Sequence, residues 1–193
     1  PLSGRNFEYY SEDPMLSGEM AGEWIRGMES TGSGACLKHF AANSQETKRM
    51  ISNSLLDERT LREIYLSSFE RAVKKSNPTS IMCSYNKING TYASDNSFLL
   101  DEILRKEWHW DGLVISDWGA MNDRVESFKA GCDLNMPGGS RYMEKATMKA
   151  LKNGRLEKKY LDRSVERILK VVEKSGKREK RPFSWLDHHK LAV

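Results

Sequence analysis

At 193 residues the chain can bury one sizeable hydrophobic core, yet it falls short of the roughly 250 residues of a complete (β/α)8 barrel. Its 38% hydrophobic and 30% charged residues exclude the disordered and fibrous classes, and no apolar run nears the ~18 residues of a membrane span. A net charge of +4 is mild and spread along helices, so a nucleic-acid partner is not expected; the dense run Lys177-Arg178-Glu179-Lys180-Arg181 reads as a solvated linker.

After a turn-rich opening, Leu16 to Met28 has helical spacing, and Ala35-Cys36-Leu37-Lys38-His39-Phe40 reads as a strand after a Gly/Ser turn. Asp57 is placed to cap a helix in which Leu61, Ile64, Tyr65, Phe69, Ala72 and Val73 share one face, and Asn77-Pro78 ends it. A short apolar run, Ser80 to Tyr85, then reads as a buried strand closing on the turn Asn89-Gly90. The unit repeats: a helix over Ser97 to Trp108 precedes the turn Asp111-Gly112 and a strand over Leu113 to Asp117. A fourth unit puts a helix over Met121 to Ala130, stopped by Gly131, before a strand over Cys132 to Met136. Pro137-Gly138-Gly139-Ser140 opens a further helix ending at Asn153-Gly154. The last regular element is an amphipathic helix over Leu156 to Lys174 with Leu161, Val165, Ile168, Leu169 and Val172 inward.

Strands alternating with helices predict an α/β fold with a parallel sheet covered on both faces: a partial TIM-like (β/α)8 barrel of about four parallel strands with flanking helices. Half a barrel leaves two unpaired parallel edges, so further strands or self-association are expected to cover them. The cysteines Cys36, Cys83 and Cys132 lie far apart beside apolar runs and read as buried free thiols. With no signal-peptide pattern at Pro1, the compartment stays open, the cytoplasm slightly favoured.

In such barrels the chemistry gathers at the C-terminal ends of the strands. Those ends carry Lys38-His39, Tyr85, Asp117-Trp118 and Asn135-Met136. One carboxylate among cationic, hydrogen-bonding and aromatic groups suits a sugar, whose hydroxyls take the polar contacts and whose apolar face lies against a ring. Singly, each has a blander reading: a strand-end Lys or His is more often structural, and an Asp before a helix is usually a cap. Periodicity alone leaves a glycosidase and another barrel enzyme equally open, among them a Schiff-base lyase using Lys38. Gly138-Gly139-Ser140 reads as a turn and cap rather than an anion site, and His188-His189 as linker; no metal site and no cofactor are expected.

At these residues the chain resembles glycoside hydrolase family 3. Lys38-His39-Phe40-Ala41-Ala42-Asn43-Ser44-Gln45-Glu46 is similar to its KHFAANNQE-type motif, with Ser44 in place of the usual Asn, and Ser116-Asp117-Trp118-Gly119 resembles its nucleophile motif. Three more segments match in order: Gly4 to Pro14, Met82 to Asn86, and Ala130 to Pro137. The resemblance implies that Asp117 is the nucleophile of a retaining mechanism, that Arg5, Lys38, His39 and Arg49 bind hydroxyls of the terminal sugar, and that Tyr85 and Trp118 line the same pocket. The KHFAAN form differs from the KHFPGHG form of the N-acetylglucosaminidase branch, which favours a β-glucoside or β-xyloside substrate. A retaining mechanism also needs an acid, and no position matches it; Glu46 is a weaker substitute. The resemblance therefore implies a barrel portion over residues 1–174, a linker over 175–193 toward a second domain, and an acid outside the chain. The alternative is a catalytically silent sugar-binding or assembly fragment.

Overall fold

The computed structural model describes residues 3–176 and 183–193; the run Lys177 to Arg181 lies outside them. Helix α1 (Pro14–Ser30) starts on Asp13, whose carboxylate accepts the Met15 and Leu16 N–H groups, with Pro14 at the first helical position. Strand β1 (Cys36–Phe40) follows, and then the two-residue strand β2 (Asn53–Ser54). Helix α2 runs through Glu58–Thr60, a π-type stretch Leu61–Leu66 and Ser67–Ser76, and Asp57 caps it by accepting the Thr60 N–H. It ends at Asn77, whose left-handed backbone (φ 48°) satisfies the Val73 carbonyl. Strands β3 (Ser80–Cys83), β4 (Lys87–Ile88) and β5 (Thr91–Tyr92) precede α3 (Phe98–Glu107), and β6 (Leu113–Ser116) completes the strands. The remaining helices are α4 (Arg124–Ala130), α5 (Arg141–Lys152), α6 (Lys158–Gly176) and α7 (Trp185–Ala192).

The main sheet is parallel, in the order β1-β3-β6, as the alternating pattern predicts. Its register pairs Cys36 with Ser80 and Ser80 with Leu113, so the three C-terminal ends lie side by side. Side chains from the sheet and from α2 and α3 form the core, where Phe40 meets the edges of Phe69 (5.1 Å between centroids) and Trp108 (5.8 Å). Trp110 is also buried, and its indole N–H donates to the Pro78 carbonyl at 2.9 Å.

The fourth predicted strand is reduced to one parallel bridge, Ile115 with Leu134. Side chains have taken over the ladder on either side of it. The Val114 N–H donates to the Asp133 carboxylate (3.0 Å) and the Met136 N–H to the Ser116 hydroxyl (2.8 Å), so backbone pairing cannot propagate.

Asp133 has a wholly buried side chain and serves four donors. Besides Val114, Oδ2 accepts from Arg105 (3.1 Å), while Oδ1 accepts from Arg167 (3.1 Å) and the Ser164 hydroxyl (3.2 Å). Arg105 spends further donors on the carbonyls of Trp110 and Gly112 and stacks on the Trp110 ring, and Arg167 also reaches Asp111. Burial, then the Arg167 cation, lower the Arg105 guanidinium to about 10, which leaves it charged at neutral pH.

Three expectations about burial need correction. Ile64 is 43% exposed while Leu66 is buried, because the π-type stretch adds residues to the turn and rotates the face that helical spacing assigns inward. In α6, Val165, Leu169 and Val172 lie outward, each more than half exposed: spacing reveals an apolar stripe but not what covers it. Cys83 and Cys132 are buried free thiols, but Cys36, at the start of the outer strand β1, is exposed. The segment expected to be linker contains α7, an exposed helix capped by Ser184.

Removing the Asp133 carboxylate leaves two arginines facing each other without their shared counter-ion. Asp133→Ala is expected to cost about 3–5 kcal/mol, read as a lower urea midpoint at unchanged slope.

Candidate active site

Asp117 follows the last residue of β6 and His39 lies in β1, two strands away. The parallel register still brings them together: His39 Nε2 is 3.6 Å from Asp117 Oδ2. The other carboxylate oxygen, Oδ1, accepts the Trp118 N–H at 2.6 Å, and the Asp117 side chain is 13% exposed. The loop it opens is fastened from two directions. The Gly119 N–H donates to the Met136 carbonyl (2.7 Å), with Gly119 at φ +76°, a conformation that glycine adopts without steric cost. The Tyr85 hydroxyl donates to the Trp118 carbonyl at 3.0 Å.

Tyr85 in turn carries the Arg49 guanidinium over its ring, 4.7 Å from the centroid, and Arg49 pairs with Glu46 at 3.1 Å. Burial, and after it the Asp117 charge, raise the Tyr85 phenol above its ordinary value. Lys38 pairs with Glu8 at 3.0 Å, and Arg5 forms an ion pair with the same Glu8. Burial pushes the Glu8 carboxyl up, but the Lys38 hydrogen bond and the Lys38 and Arg5 cations outweigh it and hold the group ionised.

His39 is 3% exposed. Burial, then the neighbouring Lys38 cation, lower its imidazole from 6.5 to about 4 against the opposing pull of Asp117. It is therefore neutral at physiological pH. Its Nδ1 lies 2.9 Å from the Tyr9 hydroxyl, and burial and the Glu8 charge raise the Tyr9 phenol to about 12.

The predicted site residues thus fall into two linked groups. His39, Tyr85, Trp118 and Asp117 meet directly, with Arg49 on Tyr85, while Arg5 and Lys38 are joined through Glu8. Trp118 is 63% exposed and lies open to solvent rather than walling an enclosed pocket. A cavity of about 250 Å³ is lined by His39 with Tyr9, Asn43, Tyr65, Ser68 and Phe69 among others; neither Asp117 nor Trp118 lines it. Glu8 and Tyr9 were missed as site residues. Both sit in the Gly4 to Pro14 segment, and the partners that bring them to the site, Lys38 and His39, are thirty residues away. Among the described residues there is no cluster of three or more His, Cys, Asp or Glu able to hold a metal ion.

Residues 1–171 match the family model for the glycosyl hydrolase family 3 N terminal domain. The chain belongs to glycoside hydrolase family 3. Among its relatives, the thermostable β-glucosidase B of Acetivibrio thermocellus is 54% identical over 194 residues, covering 100% of this chain and 26% of the relative. An exo-α-(1→6)-L-arabinopyranosidase of Bifidobacterium longum is 46% identical over 175 residues, covering 91% and 23%. The solved β-glucosidase 3B of Thermotoga neapolitana in complex with glucose superposes with a TM-score of 0.91 at 50% identity, covering 100% of this chain and 28% of that one. This family 3 chain thus spans about a quarter of the length of the relatives it matches, and its three-stranded sheet is part of the family's N-terminal barrel.

The depressed imidazole of His39 ties stability to acid. Because its folded value lies below its unfolded one, the unfolded chain binds the proton more readily. The contribution of this group is complete above pH 6.5 and is lost as pH falls toward 4, about 3 kcal/mol in all. His39→Gln removes that part of the acid sensitivity, measured by comparing denaturant midpoints of the two proteins across pH 7 to pH 4.

Proposed function

We propose that this chain supplies the nucleophile and much of the sugar-binding shell of a retaining glycosidase that cleaves terminal β-linked glucosyl residues. The observation that supports it most is the Asp117 carboxylate itself. It stands at the C-terminal end of a parallel strand, with Oδ1 held by a backbone N–H and Oδ2 facing a neutral imidazole. Oδ2 is thereby left without a cation to neutralise it, and attacks the anomeric carbon. The bond from Oδ2 to the anomeric carbon forms as the glycosidic C–O bond breaks, and the departing oxygen takes a proton from an acid; water then hydrolyses the glycosyl ester.

Arg5, Lys38, His39 and Arg49 bind hydroxyls of the sugar held at Asp117, and Tyr85 and Trp118 offer ring surface. Glu8 keeps Lys38 and Arg5 charged and oriented, so it is a poor acid. Glu46 is engaged by Arg49. We place the acid outside residues 1–193, reached through residues 175–193 as a linker to a second domain. The relatives are long enough for this, since about three quarters of their length lies beyond the matched region. The isolated chain is then silent in turnover while still able to hold a sugar. β-Glucosidases among the relatives favour glucose; the arabinopyranosidases show that close relatives act on a pyranose without the exocyclic CH2OH, so a xyloside is the runner-up.

In the longer enzyme, a 2-deoxy-2-fluoro-β-glucoside with a good leaving group is expected to trap an ester on Asp117, identified by peptide mass. Asp117→Asn is expected to lose roughly 10⁴-fold or more in kcat. Labelling of another residue, with Asp117→Asn still active, overturns the assignment.

A further inference from the structure

Tyr9 lies between the 3-10 turn Asn6–Glu8 and α1, on no strand, yet its hydroxyl is the hydrogen-bond partner that His39 Nδ1 finds among the described residues. The neutral imidazole carries one N–H, and the two possible placements are unequal here. With the proton on Nδ1, the Nε2 lone pair would face Asp117 Oδ2 at 3.6 Å, lone pair against carboxylate oxygen. With the proton on Nε2, the N–H dipole points at that oxygen, and Nδ1 becomes a buried acceptor that needs a donor. Tyr9 supplies it at 2.9 Å. The phenol has reason to stay protonated, because burial, then the Glu8 and Glu46 charges, oppose phenolate and outweigh the pull of Arg5.

We propose that Tyr9 is a positioning residue: by donating its O–H to Nδ1 it fixes His39 as the Nε2–H tautomer, so the ring presents one donor to the nucleophile and to a bound sugar hydroxyl. The catalytic consequence rests on the glycosidase function proposed above; the tautomer does not. The charged groups acting on the ring are Lys38 beside it, Asp117 from the end of β6, and Arg5 and Glu8 from the opening segment. Loss of the Tyr9 donor removes a bond made to the neutral ring, which raises the His39 value and lets imidazolium form at higher pH. Tyr9→Phe separates this role from packing, since it keeps the ring that lies 6.2 Å from the imidazole and deletes only the hydroxyl.

The test uses ¹⁵N-histidine NMR on the longer enzyme, with His39 assigned by His39→Gln, beside kcat/KM on an aryl β-glucoside from pH 4 to pH 8. The expected result is a single Nε2–H tautomer in the wild type. In Tyr9→Phe we expect a mixture of tautomers, a roughly tenfold fall in kcat/KM and an acid limb moved to higher pH. A wild-type Nδ1–H tautomer overturns the proposal, as does a Tyr9→Phe protein identical to wild type in tautomer. A changed tautomer with unchanged rate and pH profile overturns it too, because Tyr9 would then orient a ring that catalysis does not use. If the wild-type enzyme hydrolyses no glycoside, the proposed function fails instead, and the NMR comparison alone decides what Tyr9 does.

Discussion

A single buried carboxylate, Asp133, sets where the strand bearing the nucleophile lies. It accepts the Val114 N–H on β6, three residues before Asp117, and its other bonds reach α3 through Arg105 and α6 through Arg167 and Ser164. A carboxylate taken out of water is costly unless its lone pairs are filled, and here four donors fill them. The geometry is therefore demanding: strand, inner helix and outer helix must all arrive together. Apolar burial alone is non-directional and would leave the sliding of β6 against α6 weakly specified. The same carboxylate explains why the chain beyond it ceases to be a regular strand, since it occupies a ladder position with a side chain.

At the upper end of the sheet, charges are arranged so that Asp117 is not locked in an ion pair. Glu8 takes up the two cations nearest to it in the opening segment and β1, and Glu46 takes up Arg49. The group left beside Asp117 is an imidazole that burial and Lys38 keep neutral. A carboxylate facing a fixed cation at contact distance would be stabilised in its ground state and blunted as a nucleophile. A neutral imidazole 3.6 Å away leaves that oxygen less neutralised than a cation would.

Much of this fold was legible because its signals are local. Short apolar runs after turn residues located β1, β3 and β6, and caps such as Asp57, Asn77 and Ser140 fell where side-chain chemistry placed them. What stayed hidden depends on partners far along the chain. Cys132 to Met136 is as apolar as a strand, yet hydrogen bonds from Asp133 and Ser116 decide that it makes one bridge. The π-type stretch in α2 sets Leu61 and Leu66, five residues apart, on the buried face and leaves Ile64 outward, where a 3.6-residue period read from Leu61 turns Ile64 inward. Of the residues singled out by motif, His39 lies beside Asp117 and Tyr85 holds the Trp118 carbonyl, while Arg5 and Lys38 meet on Glu8 instead. Tyr9 and Glu8 escaped because their role exists only once the segment before α1 folds over β1.

The outward rows on two helices bear on how the molecule behaves in solution. Leu16, Met20 and Trp24 form an i, i+4 ladder along α1, and Val165, Leu169 and Val172 form an i, i+4, i+7 row along α6, all exposed by two fifths or more. Such rows offer the chain by itself apolar surface through which copies can meet. Self-association through them would be apolar in origin. Sulfate should strengthen it, and adjusting pH around a net charge of +4 should do little to relieve it.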